Sequence, residues 1–313
     1  MANHTPCGIE LPQVFFDGPT DMEHIRKFAI RAEILGFDSL WLQERIIGDF
    51  IMLEPVTLLS YIAAITTKIR LGTSVILLPL RNPVQLAKAY STLDVISGGR
   101  AIIGVGLGGG HLGSHENVFG YTREGRVTRF SEAVQIMKRL WTEPKASFHG
   151  RYWNFDNISM EPKPVQKPHL PIIFGGHHEN ALRRAVKYAD GWMTNKVTPE
   201  EFKSQWTRIL AMAKEEGRDP SKIGSSLYHN ININENRQAA LDESKAFLDK
   251  YYTSNFSMKF VEGFTTAGSP KQCIDELKAY FAAGIEHITL RMTSWDQSGQ
   301  LKRFLDDVVP AFK

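Results

Sequence analysis

The stretch from residue 36 to residue 110 constrains the fold more than any other part of the chain, because it repeats one pattern three times. Each repeat is a short apolar, β-branched run that ends in small, polar or glycine residues and leads into a helical pattern. The three runs are GFDSLWLQE, IRLGTSVILLPLRNP and LDVISGGRAIIGVGLGGG. Strands that alternate with helices in this way form a parallel sheet, with the chemistry at the carboxyl ends of the strands.

The same alternation continues to the end of the chain and predicts eight strands. They are predicted at residues 8–11, 39–42, 69–75, 101–105, 171–174, 191–194, 223–233 and 285–290. Eight strands with interleaved helices predict an α/β fold, a (β/α)8 TIM barrel, as a single domain over residues 1–313. A doubly wound open sheet is the alternative, but it needs fewer strands and a glycine-rich first turn, whereas the first turn here is Pro12-Gln13-Val14.

Three insertions interrupt the predicted barrel. Residues 106–125 are rich in glycine and predict a long loop after strand 4. Residues 144–168 predict a hairpin-like insertion before strand 5, and a less regular segment up to residue 268 predicts an insertion after strand 7. Long loops in compact domains usually carry function, so we expect the first two insertions to cover the mouth of the barrel.

Charge and cysteine content narrow the class of protein. The net charge is 37 − 34 = +3 and is evenly spread, which argues against a nucleic-acid partner or a membrane surface. Cys7 and Cys273 stand alone, so we expect a reduced, cytoplasmic protein without a metal site. The N-terminus lacks signal-peptide features, and no run approaches the roughly 20 apolar residues that span a bilayer. His111 and His115 are four residues apart, but the surrounding glycines disfavour metal binding.

Seven segments, in this order, resemble the bacterial luciferase-like flavin or deazaflavin oxidoreductases. They are AEILGFDSLWLQE, EPVTLLSYIAAITTKIRLGT, RNPVQLAKAYSTLDVISGGR, GVGLGGG, the RFSE helix from residue 129, PKPVQKPHLPIIFGG and ADGW. The resemblance covers nearly the whole chain. It implies the barrel fold, a flavin-like cofactor, a small-molecule substrate and a homodimer.

The resemblance also implies where the cofactor ring binds. In similar proteins a non-prolyl cis peptide and a bulge end the third strand, and the bulged side chain supports the ring from behind. By analogy this peptide is Ser74–Val75, and both residues are candidates for binding the cofactor. Glycines after the fourth strand would let the backbone approach the cofactor closely; they are Gly106, Gly108 and Gly109.

A phosphate site is predicted after the fifth strand. Gly175 and Gly176 precede a helix near Glu179, so backbone N–H groups at a helix N-terminus would face an anion there. Similar proteins place the flavin phosphate at this turn. His177 could add a hydrogen bond or positive charge.

Candidate catalytic and substrate-binding residues follow other strands. Glu44 and Arg45 follow the second strand. The family often has a histidine where Arg45 stands, and in several members that histidine is catalytic. Arginine stays protonated and is a poor general base, but it could bind an anionic substrate or a flavin oxygen. Arg81, His111 and Arg291 are the candidates for binding substrate, although each arginine could equally form a structural ion pair.

The resemblance implies a monooxygenase that uses reduced FMN and O₂ on a small organic substrate such as an aldehyde or ketone. A separate flavin reductase would supply the reduced cofactor, because the sequence shows no nicotinamide motif. The alternative in the same fold is hydride transfer with coenzyme F420, whose acidic tail could pair with Lys196 after the sixth strand.

Two further classes stay open. A non-redox barrel acting on a sugar phosphate would suit the Gly175-Gly176 turn, but it usually needs a Schiff-base lysine or a carboxylate base at a strand end. A non-catalytic flavin-binding protein would explain the missing histidine at position 45.

Overall fold

The computed structural model describes residues 5–16, 18–48, 51–108, 116–120 and 123–312. Within these ranges, eight parallel strands pair in chain order, and the last strand also pairs with the first, so the sheet closes into a barrel. The strands are β1 (Thr5–Glu10), β2 (Phe37–Leu42), β3 (Arg70–Thr73), β4 (Ala101–Gly106), β5 (Ile172–Gly175), β6 (Gly191–Asn195), β7 (Gly224–Ile233) and β8 (His287–Met292). The predicted (β/α)8 barrel is confirmed.

Helices alternate with these strands and pack on the outside of the barrel. In chain order they are α1 (Met22–Ile34), α2 (Pro55–Ile65), α3 (Pro83–Ser97), α4 (Arg126–Thr142), α5 (Glu179–Tyr188), α6 (Pro199–Glu215), α7 (Arg237–Tyr252), α8 (Met258–Glu262), α9 (Pro270–Ala282) and α10 (Gln297–Arg303). Several begin with a capping side chain followed by proline, as at Asn82 before Pro83, because that pair satisfies free N–H groups and presets the first turn. None of the helices described is both long and apolar enough to cross a membrane.

The third strand is shorter than its apolar run predicts. β3 ends at Thr73, and a two-residue strand, Ile76–Leu77, resumes the pairing with β4. Between them the Ser74–Val75 peptide is cis, which confirms the prediction made for this bond. The Thr73 side chain bonds to the backbone of Gly104 on β4 instead of continuing a regular ladder, so the predicted strand over 69–75 is interrupted.

The predicted insertions have the following form. Ala146–His149 and Asn154–Ile158 pair as an antiparallel hairpin before β5. After β7, the insertion contains α7, α8 and a short parallel strand, Thr265–Gly268, which pairs with the end of β7. The insertion after β4 is described only in part, with short turns at Glu116–Phe119 and Arg123–Gly125.

The Trp41 side chain, from the second-last residue of β2, is buried inside the barrel. Gly8 on β1 and Gly72 on β3 lie on either side of Trp41. A Cβ on either glycine would lie 2.5 Å from an atom of the Trp41 ring, so both positions need glycine. The Trp41 indole N–H donates to the Ser39 hydroxyl over 2.7 Å. The Trp41 ring therefore fills part of the barrel interior, and the open space lies at the carboxyl ends of the strands.

Candidate active site

A cavity of about 830 Å³ opens at the carboxyl ends of the strands from β2 to β7. All the predicted cofactor residues that the structure describes line it: Ser74, Val75, Gly106, Gly108, Gly175, Gly176 and His177. These residues come from three separate strand ends, and the fold brings them together as predicted. Gly109 and His111 lie outside the described residues.

Val75 forms a raised apolar support on the floor of this cavity. A Cβ on Gly106 would lie 2.7 Å from Val75 Cγ2, and a Cβ on Gly175 would lie 3.1 Å from Val75 Cγ1. The sequence-based explanation for these two glycines was therefore incomplete. They make room for the Val75 side chain, and this close packing holds it in place.

The Gly175-Gly176 turn leads directly into α5. Gly176 has a φ of +137°, a conformation that favours glycine, and its carbonyl accepts a 2.6 Å hydrogen bond from the Trp192 indole. His178 occupies the N-cap position, but its side chain makes no capping hydrogen bond. N–H groups in the first turn of α5 therefore remain available to an anion, which is the arrangement predicted for a phosphate.

Positive charge surrounds this end of the cavity. Its lining includes an arginine group made of Arg123, Arg126 and Arg184, together with Lys196. Burial lowers the pKa of Arg184, and the nearby charge of Arg126 lowers it further. Burial likewise lowers the pKa of His177, and the charge of Lys196 is among the other causes. An anion bound here would relieve this repulsion.

Glu44 lines the cavity, but its carboxylate is already occupied. Arg81 bonds to it through Nε at 2.9 Å and through Nη2, and the Leu77 N–H donates to it over 2.6 Å. Arg81 also bonds to Glu54 at 2.9 Å. Burial raises the pKa of Glu44, although Arg81 opposes this rise. The structural ion pair, which was the alternative for Arg81, is present, and it anchors the segment after β3.

Arg291 is also in an ion pair. Its guanidinium bonds to Glu10 at 2.8 and 3.1 Å and lies 3.8 Å from the centre of the Tyr251 ring. Among the described residues that line the large cavity, neither Arg45 nor Arg291 is present. Arg45 lies near enough to Tyr251 for its charge to affect the pKa of that phenol. Substrate binding by Arg81 and Arg291, and catalysis by Glu44 and Arg45, stay predictions.

Several residues that line the cavity were not predicted as site residues from the sequence. They are the arginine group, Asn180, Tyr228 and Tyr252. Arg126 begins α4, and Asn180 and Arg184 are four apart on α5, so polar residues in the first turns of helices that follow strands were the available signal. The tyrosines gave no such signal, because Tyr228 lies in the middle of a long buried strand and Tyr252 ends a helix far along the chain.

The cavity fits a flavin-type group. Such a cofactor joins a flat ring to an anionic tail, so it needs an apolar support and a separate anion site. Val75 provides the first, and the N-terminus of α5 with the arginine group provides the second. The positive φ at Gly176 and the close packing around Val75 fix the shape of the cavity at these two places.

Comparison with known proteins gives one family match and several curated relatives. A family model described as luciferase-like monooxygenase matches residues 5–287. An F420-dependent glucose-6-phosphate dehydrogenase from Kineococcus radiotolerans is 26% identical, over 91% of this chain and 92% of that protein. An FMNH(2)-dependent dimethylsulfone monooxygenase from Pseudomonas putida is 27% identical, over 86% and 82%.

The fold is also that of a solved structure. An F420-dependent secondary alcohol dehydrogenase in complex with an F420-acetone adduct superimposes with a TM-score of 0.86 and 21% sequence identity, over 99% of both chains. At this identity the likeness shows the barrel fold.

Proposed function

Because the chain belongs to the luciferase-like monooxygenase family, we propose that it is an oxidoreductase that binds a flavin-type cofactor in the mouth of the barrel. The observation that carries this proposal is the presence of the Val75 support and the α5 N-terminus in one cavity. When bound, such a cofactor supplies or accepts a hydride equivalent. Val75 would support the ring, and the Gly175-Gly176 turn with the arginine group would hold the anionic tail.

We infer that the cofactor is coenzyme F420. Three arginines and one lysine line the cavity, whereas the carboxylate in its described lining, Glu44, is bound by Arg81. FMN carries one phosphate at the end of its tail, but F420 carries a phosphate and further acidic groups. The larger number of cations suits the larger anion, because each additional negative group gains a charge-assisted hydrogen bond. The reaction would then be hydride transfer without O₂.

An FMN-dependent monooxygenase is the second candidate. The Val75 support does not distinguish between the two rings, and the 27% identical relative from Pseudomonas putida is named as FMNH(2)-dependent. In this case O₂ would be the second substrate and a separate flavin reductase would supply reduced FMN. Homodimerisation is part of both proposals.

Fluorescence titration of the purified protein with F420 and with FMN tests the choice. We expect F420 to bind more tightly than FMN. Arg184→Gln should weaken F420 binding by about tenfold or more, since it removes a charge-assisted hydrogen bond from the tail. Arg183→Gln is the matched control, because Arg183 is the neighbouring residue on α5 and pairs with Glu179 instead of lining the cavity.

The other possible results of these titrations favour different functions. Tighter binding of FMN would reject F420 and favour the monooxygenase. Binding of a cofactor without any redox turnover would favour the non-catalytic flavin-binding protein. Binding of neither cofactor would overturn the proposed function and return attention to a sugar-phosphate enzyme.

A further inference from the structure

Tyr252 is one of the aromatic side chains that line the large cavity. It is the last residue of α7, and it lines the cavity together with Val75 and Gly106. Its hydroxyl oxygen accepts a 3.1 Å hydrogen bond from Arg291 Nη1. No described residue accepts the proton of this hydroxyl, so that proton is available to a molecule in the cavity.

Arg291 holds this hydroxyl in a fixed electrostatic setting. The residue is only 2% exposed, and Glu10 binds its Nε and Nη2 atoms. These two bonds leave Nη1 to donate to Tyr252, and Tyr251 packs on the face of the guanidinium at 3.8 Å. The Arg291 guanidinium would therefore lie directly beside a negative charge that formed on the Tyr252 oxygen, and it would stabilise that charge.

Two other groups in the lining that could transfer a proton already have hydrogen-bond partners. The Tyr228 hydroxyl donates to Glu10, and the Glu44 carboxylate is held by Arg81. His177 lies beside the Gly175-Gly176 turn, where the anionic tail is proposed to bind. Tyr252 combines a hydroxyl proton that no described residue accepts with a charged side chain bonded to the same oxygen.

We propose that Tyr252 is a catalytic residue that donates a hydrogen bond, and then a proton, to the oxygen of a carbonyl substrate. This inference rests on the proposed function and names its substrate class as an aldehyde or ketone, with the alcohol as the reduced form. Tyr252 would replace the histidine that the family often has at the position of Arg45.

The carbonyl carbon would gain a hydride that the bound reduced cofactor supplies, the carbon–oxygen π pair would move onto the oxygen, and the oxygen would take the Tyr252 proton. The phenolate that remains would lie next to the Arg291 guanidinium and would regain a proton from water at the cavity mouth. In the alcohol-oxidising direction the same atoms would move in reverse, with the hydride returning to the oxidised form of the cofactor.

Binding of 4-nitrophenolate tests the proposal without turnover, because the phenolate oxygen resembles the negatively charged oxygen that forms on the substrate. Its absorbance would be titrated against wild-type protein, Tyr252→Phe and Tyr61→Phe, with and without the cofactor. We expect Tyr252→Phe to weaken binding by about 10- to 100-fold, the usual effect of a hydrogen bond to a charged group. Tyr61→Phe, on the outer helix α2, should bind like wild type.

The controls separate this inference from the proposed function. Cofactor affinity, measured by fluorescence, should be the same in wild type and Tyr252→Phe, which would also show that the cavity is intact. Equal 4-nitrophenolate affinity in these two proteins, or no binding to wild type at millimolar concentration, would overturn the role of Tyr252. Loss of cofactor binding in wild type itself would instead overturn the proposed function.

Discussion

At the scale of single residues, the cavity depends on positions that have no side chain. A Cβ on Gly104 would lie 1.9 Å from the Thr73 carbonyl oxygen, and Cβ atoms on Gly106 and Gly175 would press against Val75. These glycines allow the end of β3 to lie close against β4 and β5, so that Val75 reaches the cavity floor. If larger residues at these positions pushed the strands apart, Val75 would lose the contacts that hold it on the cavity floor.

Gly176→Asp tests the phosphate site at this scale. The new carboxylate would lie at the turn before α5, where it would repel an anion held by the helix N-terminus. We expect cofactor affinity, measured by fluorescence titration, to fall at least about tenfold below that of Gly176→Ala. The alanine variant is the control, because it places a Cβ at the same +137° φ and 2.9 Å from Ala181 Cβ but adds no charge. Equal affinity in both variants would move the phosphate away from this turn.

At the scale of elements, the contact between β7 and α9 contains a buried histidine. The His229 ring lies 5.0 Å from the Tyr280 ring on α9, and its Nε2 lies 3.2 Å from the Thr266 hydroxyl. Its Nδ1 has no hydrogen-bond partner in the described part of the chain. Burial lowers the pKa of His229 to about 3, so this helix packs on a neutral ring.

The pH dependence of stability follows from this burial. Between about pH 3 and the unfolded value of about 6.5, the unfolded chain binds a proton at this histidine that the folded chain does not. The stability that neutral His229 contributes is therefore complete above about pH 6.5 and is lost as the pH falls. We expect a slope of about 1.4 kcal/mol per pH unit from this residue.

Urea denaturation at several pH values in this window measures the slope. His229→Gln should remove about 1.4 kcal/mol per pH unit from the dependence of the free energy of unfolding on pH. His149→Gln is the control, because His149 is exposed on the hairpin before β5. An unchanged slope in His229→Gln would mean that His229 is protonated equally in the folded and unfolded chains.

At the scale of the whole molecule, the barrel closes where its first and last strands meet. β1 and β8 pair in parallel, and at their carboxyl ends Glu10 and Arg291 form a buried ion pair. The pair also holds Tyr228 of β7 and Tyr252 of α7. The Glu10–Arg291 ion pair thus links the first strand, the last strand and α7, the helix that supplies the proposed proton donor.

Glu10→Met should destabilise the protein by about 3–5 kcal/mol, because it leaves the Arg291 charge buried without a partner. The double variant Glu10→Met/Arg291→Met should lose much less, since no unpaired charge remains. Both free energies can be measured by urea denaturation with wild type as the reference. A double variant as unstable as the single one would show that packing around Glu10, rather than its charge, supports closure.

The sequence by itself determined the order of the elements and the class of the fold. Strand and helix periods are local, so residues within one run reveal each element, and alternating elements permit few topologies. The family resemblance located the cis bond at Ser74–Val75 and named candidate cofactor residues, and those that the structure describes line one cavity. Homodimerisation stays a prediction.

Only the tertiary structure decided which carboxylate each arginine pairs with. Arg81 and Arg291 follow strands just as substrate-binding residues would, and local sequence cannot show that Glu44 and Glu10 hold them. Glu10 and Arg291 are 281 residues apart in the chain, and barrel closure alone brings them together. The same closure places Tyr252 against Arg291, so the proton donor proposed here becomes visible only once the barrel is formed.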